Sequence, residues 1–429
     1  MKAKNTGAII ILLGFLAVSC RQDPIFFIIA SETAPKKPRI EGAPTNIVVF
    51  NRDYPDREEP VPIMYVASGR LHWYAKTGTN ESRWDSKEYE VEQPGGKIIA
   101  LAATSEYLYA LCLTGHGISS TLRRIGRSGI GWEDIAPPTG NYPLIQSIHA
   151  DPEKPYLFAG ARNSRNSAAL LYLNNDTVTL EILMAETAIL SGAVSREEEE
   201  EEKNIYYLST RGGGIFRVED DPATMTINTA SVQLLVDESN IEENNKRNNR
   251  TFMGMIKLEN GDIIAIERNG GALYTVQNNS FARIFYTLEN NANSMATGKY
   301  AIGALARWER IDPASGIVVE KLLIVGIQGG LYSTAISSYT HGYVEFVLNP
   351  DGSLDTTEIR RDPGRLQSLV DGNQDRYTAS LGKHPINHLF QATGDIDENR
   401  TFFASTQTNG LWSYRDRPDN GGWQWNAED

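Results

Sequence analysis

The chain has 429 residues, a net charge of −13, a pI near 5.1 and only two cysteines. That balance excludes nucleic acid as a partner, because phosphate binding needs clustered Lys and Arg. It also excludes a disulfide framework, while 41% hydrophobic content leaves enough apolar residues for a sizeable core.

Residues 1–19 read as a targeting segment. Lys2 and Lys4 form a charged start, and the apolar stretch from Ala8 to Val18 is too short to cross a bilayer as a helix. The stretch ends Leu16-Ala17-Val18-Ser19-Cys20, which resembles the lipobox of bacterial lipoproteins. The resemblance implies cleavage before Cys20 and acylation of its thiol, with Ala17 standing where the commonest boxes carry leucine. Arg21, not aspartate, follows the cysteine, which favours the outer membrane over the inner one in the enteric sorting scheme. An ordinary secretory peptide cut near Ser19 is the alternative. Residues 20–44 then form a tether. Within it, Pro24 to Ala30 reads as a strand that joins the folded domain and can close a ring.

From residue 45 to the C-terminus a two-strand phrase returns. An apolar run ends in a small residue, a polar turn with glycine follows, and an aromatic strand comes back. The clearest copy is Phe402-Phe403-Ala404-Ser405-Thr406 with Leu411-Trp412-Ser413-Tyr414. Others run Met64 to Ala67, Leu108 to Leu111, Tyr156 to Gly160, Ile205 to Ser209, Ile263 to Ile266 and Leu322 to Gly326. In the Leu322 copy, Leu331-Tyr332 reads as the return strand. Each copy follows a short apolar strand, such as Ile145 to Ile148 or Ile386 to Phe390. Most precede a more polar one, such as Glu88 to Val91. Seven copies over residues 45–429 give about 55 residues per four-stranded unit, somewhat above the usual propeller repeat. The expected fold is all-β: one seven-bladed β-propeller of four-stranded blades, with a β-sandwich as runner-up.

Three stretches read as insertions: the six glutamates Glu197 to Glu202, the Asn-rich segment Glu238 to Arg250, and residues 334–385, a candidate lid or partner contact that holds a strand-like run, Tyr343 to Leu348, and a turn at Asp351-Gly352. The adjacent pairs Arg123-Arg124 and Arg360-Arg361 read as surface charge. Cys112 lies in an apolar strand and reads as a buried, inert thiol.

No catalytic motif is present. The six histidines have no zinc spacing, Gly212-Gly213-Gly214 serves a turn, and no cofactor or metal is expected. His149 and His388 fall in innermost strands and are candidates to line the central channel. Faint echoes of sialidase-type, quinoprotein-like and WD-type repeats stand at Ser128 to Trp132, Tyr74 to Trp84 and Trp84-Asp85. Gly410-Leu411-Trp412 resembles YVTN-like extracellular propellers. None of these resemblances implies an active site. Two functions stay open: a lipid-anchored scaffold that binds an envelope protein, which we favour, and a propeller that takes a carbohydrate or small ligand at the channel mouth.

Overall fold

The computed structural model describes residues 40–428 apart from internal stretches, the longest being 85–95, 236–251, 287–299, 331–341 and 362–384. Cys20, the targeting segment and the Pro24 to Ala30 run lie outside the described residues, as do His72, His116, His341 and His384.

Every described element is a strand, and the strands form seven antiparallel sheets in sequence order. Six are four-stranded blades, each an up-and-down meander. Sheet one differs from the expected seventh four-stranded blade, because it has three strands: Val48–Arg52, Val61–Ala67 and Trp73–Thr77. The outer strand expected at Glu88 to Val91 lies outside the described residues. Sheets two to seven begin with Lys97–Ala103, Leu144–Ala150, Ile189–Glu198, Phe252–Lys257, Tyr300–Ile311 and Ile386–Gln391.

The apolar runs of the repeated phrase are second strands, covered on both faces. Successive side chains of a strand point to opposite faces. So Tyr206 and Leu208 pack toward sheet three while Ile205 and Tyr207 pack toward sheet five. Likewise Leu322 and Ile324 meet sheet seven, and Leu323 and Val325 meet sheet five. Seven clusters follow one another from seam to seam until sheet seven meets sheet one through Phe403, Leu411, Met64, Val66 and Trp84.

The small residue that ends the phrase has a packing reason. A Cβ on Gly160 would come 2.6 Å from the backbone nitrogen of Leu190, on the next inner strand. One on Gly326 would come 2.9 Å from Ile386. At the same place in sheet seven, Ser405 donates its hydroxyl to the Thr45 carbonyl at 2.9 Å. The triple glycine also divides its roles. Gly212 and Gly214 have φ of 92° and 96°, whereas a Cβ on Gly213 would strike that of Ala188 at 2.6 Å.

Several sequence readings need correction. In sheet six the return strand is Gly342–Leu348, followed by Leu354–Arg361. Part of the supposed 334–385 insertion is therefore the outer half of a blade. Its second strand runs on through Gly329 and Gly330, which pair with Ala301 and Tyr300, so the expected turn at those glycines does not form. Glu197 and Glu198 are paired strand residues opposite Asn204 and Lys203, and Glu197 takes an ion pair from Lys154. Glu199 to Glu202 and Glu238 to Arg250 lie outside the described residues. Arg124 is not surface charge. It is buried, donates to the carbonyls of Asn175 and Thr177 at 2.8 and 2.7 Å, and thereby ties sheet two to sheet three. The side chains of Arg360 and Arg361 lie outside the description. Cys112 is 1% exposed, and burial pushes its thiol up to about 11 against a smaller opposing pull from Arg123.

Candidate functional site: the axial cavity

The innermost strands surround a cavity of about 540 Å³. Six of them carry a bulge at one equivalent place: between Ile98 and Ala100, Ile145 and Ser147, Leu190 and Gly192, Phe252 and Gly254, Ile302 and Ala304, and Ile386 and His388. A bulge inserts an extra residue and re-aims its side chain. The inserted residues are Ile99, Gln146, Ser191, Met253, Gly303 and Asn387, and all of them line the cavity. Asn46, just ahead of the first strand, completes the set from sheet one. The signature of the bulge in the sequence is an apolar residue, any residue, then mostly a small one, which is too weak a pattern to mark a bulge by itself.

The cavity wall has two characters. Sheets five and six contribute Met253, Met255, Leu305 and the small residues Gly254, Gly303 and Ala304. Sheets three, four and seven contribute amides, hydroxyls, imidazoles and the guanidinium of Arg211. Some of these polar groups hold the ring together. The Asn46 amide donates to the Leu101 carbonyl at 2.8 Å and accepts from its N–H at 3.3 Å. Ser147 donates to the Leu190 carbonyl at 2.6 Å, and Ser191 to that of Phe252 at 2.5 Å. Others are uncommitted: among the described residues, the side chains of Gln146, His149, His388 and Gln407 have no hydrogen-bond partner.

The two histidines singled out in the sequence thus line one cavity, from sheets three and seven. His149 is held down at about 3, chiefly by burial and further by the nearby charges of His388 and Arg211. Burial also lowers His388, to about 4. His388 nevertheless keeps open surface toward the cavity, where water screens it. Both imidazoles are neutral at pH 7, each offering one donor and one acceptor.

No carboxylate lines this cavity among the described residues, so it offers no pair for acid–base glycoside chemistry. Nor does any group of three or more His, Cys, Asp or Glu there form a metal cluster. What the wall can do is donate and accept hydrogen bonds in an uncharged setting beside one cation.

No protein-family model and no curated protein matches the sequence. Solved structures do match. The extracellular domain of BT4673 from B. thetaiotaomicron is similar at a TM-score of 0.50 and 11% identity, over 90% of this chain and 40% of that one. The fold is a β-propeller. This chain therefore spans about two fifths of the length of that neighbour. YCF48 from Cyanidioschyzon merolae aligns over 90% of this chain and 100% of its own length, at 13% identity and a TM-score of 0.48.

Proposed function

We propose that this chain is a lipid-anchored envelope protein whose propeller binds a small hydroxylated ligand, of saccharide size, in the axial cavity. In this reading Cys20 carries the lipid, and the three-stranded sheet one serves as the seventh blade of a closed ring. The observation that carries the ligand is the set of four uncommitted side chains, Gln146, His149, His388 and Gln407, facing one cavity. A hydroxyl donates one hydrogen bond and accepts others, and so do amides and neutral imidazoles. Uncommitted groups of this kind discriminate strongly between a ligand that satisfies them and one that does not. The volume falls within the ordinary range of ligand sites, and the apolar flank of sheets five and six suits the C–H face of a sugar ring. The extracellular setting of the BT4673 domain accords with an envelope location.

A saccharide array probed with the lipid-free Cys20→Ser protein tests this. Binding by one saccharide class, weakened at least tenfold by Gln146→Leu and abolished by His388→Trp, is expected. Binding that survives the plugged cavity, or no binding to any member, would overturn it.

One observation favours the scaffold reading. The first hairpin of sheet six is long, Tyr300–Ile311 with Val318–Gly330, and it presents Ile317 and Val319 at 65% and 62% exposure. Crosslinking in intact cells, with and without Ile317→Asp, separates the two: a partner lost with that substitution places recognition on the hairpin.

A further inference from the structure

A second cavity, of about 410 Å³, opens beside the first between the inner strands of sheets five, six and seven. It shares only Leu305 and Leu389 with the axial cavity. Its lining includes the turn residue Glu259, between the first two strands of sheet five, and Arg400, just before Phe402. Both belong to connections from a first to a second strand. Arg211 and Gln407 sit where second strands end, so this cavity lies toward the opposite end of the axis.

Its charges are arranged unequally. Glu309 is paired with Arg400, and Lys321 pairs with Glu259 at 2.6 Å and, more distantly, with Glu309 at 4.0 Å. Both carboxylates are therefore compensated. Arg307 also lines the cavity, is exposed, and has no hydrogen-bond or ion-pair partner among the described residues. The pairing is built in. Arg400 is the one described residue other than glycine with positive φ, at 49°. Gln391 holds it there, donating to the Arg400 carbonyl at 3.2 Å and the Glu309 carbonyl at 2.9 Å while accepting from the Glu309 N–H at 2.7 Å. Residues kept in such a conformation persist only where their surroundings over-determine them, and they cluster at functional sites. Ile256, Ala306 and Phe390 give the cavity an apolar floor.

We infer that this cavity is a second binding site, for an organic carboxylate with an apolar body. Arg307 would take the carboxylate through its planar fork. Arg400 would act as a positioning residue, neutralising Glu309 so that an incoming anion is not repelled. The inference does not depend on occupancy of the axial cavity.

The test is calorimetric titration of the lipid-free protein with benzoate, against its neutral isostere benzamide. A ligand this small reaches the millimolar range. Saturable binding of benzoate but not benzamide is expected, abolished by Arg307→Gln and unchanged by Gln146→Leu in the axial cavity. Arg400→Gly tolerates the positive φ, and it leaves Glu309 with only the more distant Lys321, at 4.0 Å. Benzoate affinity should then fall severalfold, and less so as salt rises. Equal binding of benzoate and benzamide, benzoate binding that ignores Arg307→Gln, or no benzoate binding at all would each overturn the inference.

Discussion

The seam between sheets six and seven and the seam between sheets seven and one solve one packing problem with different chemistry. At the first, Trp308 stacks on Phe402 with centroids 4.7 Å apart and meets the edge of Tyr414 at 5.0 Å. Trp425 adds contacts to Phe402 and Tyr414, and the Arg310 guanidinium lies 4.5 Å from the Trp308 ring centroid. The closing seam has its own aromatic contact, Trp84 against Phe403, but its distinguishing part is polar. The buried carboxylate of Glu428 accepts the Trp84 indole N–H at 2.7 Å and also the Ser413 hydroxyl. Upstream of sheet one, the Ile40 and Gly42 carbonyls accept the N–H groups of Leu411 and Gly410 at 3.1 and 2.9 Å.

The difference follows from chain connectivity. Sheets six and seven are neighbours in sequence, and apolar burial holds the buried part of their seam, while Gln391 and Arg400 bind Glu309 at its partly exposed end. The closing seam joins residues 344 positions apart. Registering such distant ends calls for directional bonds, and long-range closure also costs more chain entropy than a local contact.

The sharpest break is removal of residues 386–429, which deletes sheet seven and both seams. The rest should lose cooperative thermal unfolding; a truncated protein that melts at the full-length temperature would contradict ring closure. Next, Trp308→Ala should cost about 3–5 kcal/mol in urea unfolding, through lost aromatic area and the cavity left behind. Glu428→Ala should cost about 2–3 kcal/mol, because it strands the Trp84 donor in a buried place. The two variants should also differ in kind. Cys112 lies in the seam between sheets one and two, and in a Cys20→Ser background it reports whether sheet one has moved. Its labelling by a thiol reagent should quicken more in Glu428→Ala than in Trp308→Ala when stabilities are matched with urea. Equal rates would mean that both seams open together.

The smallest effect is a titration. The His149 imidazole is held well below its unfolded value near 6.5. Below that pH the unfolded chain takes up a proton that the folded chain refuses. Stability is therefore full above about pH 6.5 and falls as the pH drops from there toward 3, by at most about 1.4 kcal/mol per pH unit. His149→Gln should flatten that limb of an acid-unfolding curve.

The sequence shows the parts of this molecule that repeat and hides the parts that join. The pairing of Leu108 to Leu111 with Leu122 to Ile125, of Tyr156 to Gly160 with Ala169 to Leu173, and of Phe402 to Thr406 with Leu411 to Tyr414 was readable at the level of strands, because doubly covered strands must be apolar throughout. His149 and His388 could be placed at the axis, because strand order within a blade puts the first strand innermost. The third strand of sheet six is strand-like in the sequence at Tyr343 to Leu348, but its place in the blade is hidden, since Gly329-Gly330 imitates the turn that the other copies use. Arg124 reads as a surface cation, and nothing in the sequence singles out Glu428. Their partners, Trp84 and the carbonyls of Asn175 and Thr177, are supplied by other sheets, and nothing local announces them.

The bulges have a consequence for how such a protein diversifies. Five of the six bulges give the cavity one side chain outside the regular strand pairing, the sixth inserted residue being Gly303. Gln146 or Met253 can be exchanged without rewriting the ladder that carries it. The channel is in effect a dial of separately adjustable addresses mounted on a frame that does not move when they are reset. A new ligand preference can be reached one blade at a time, each step passing through a folded protein.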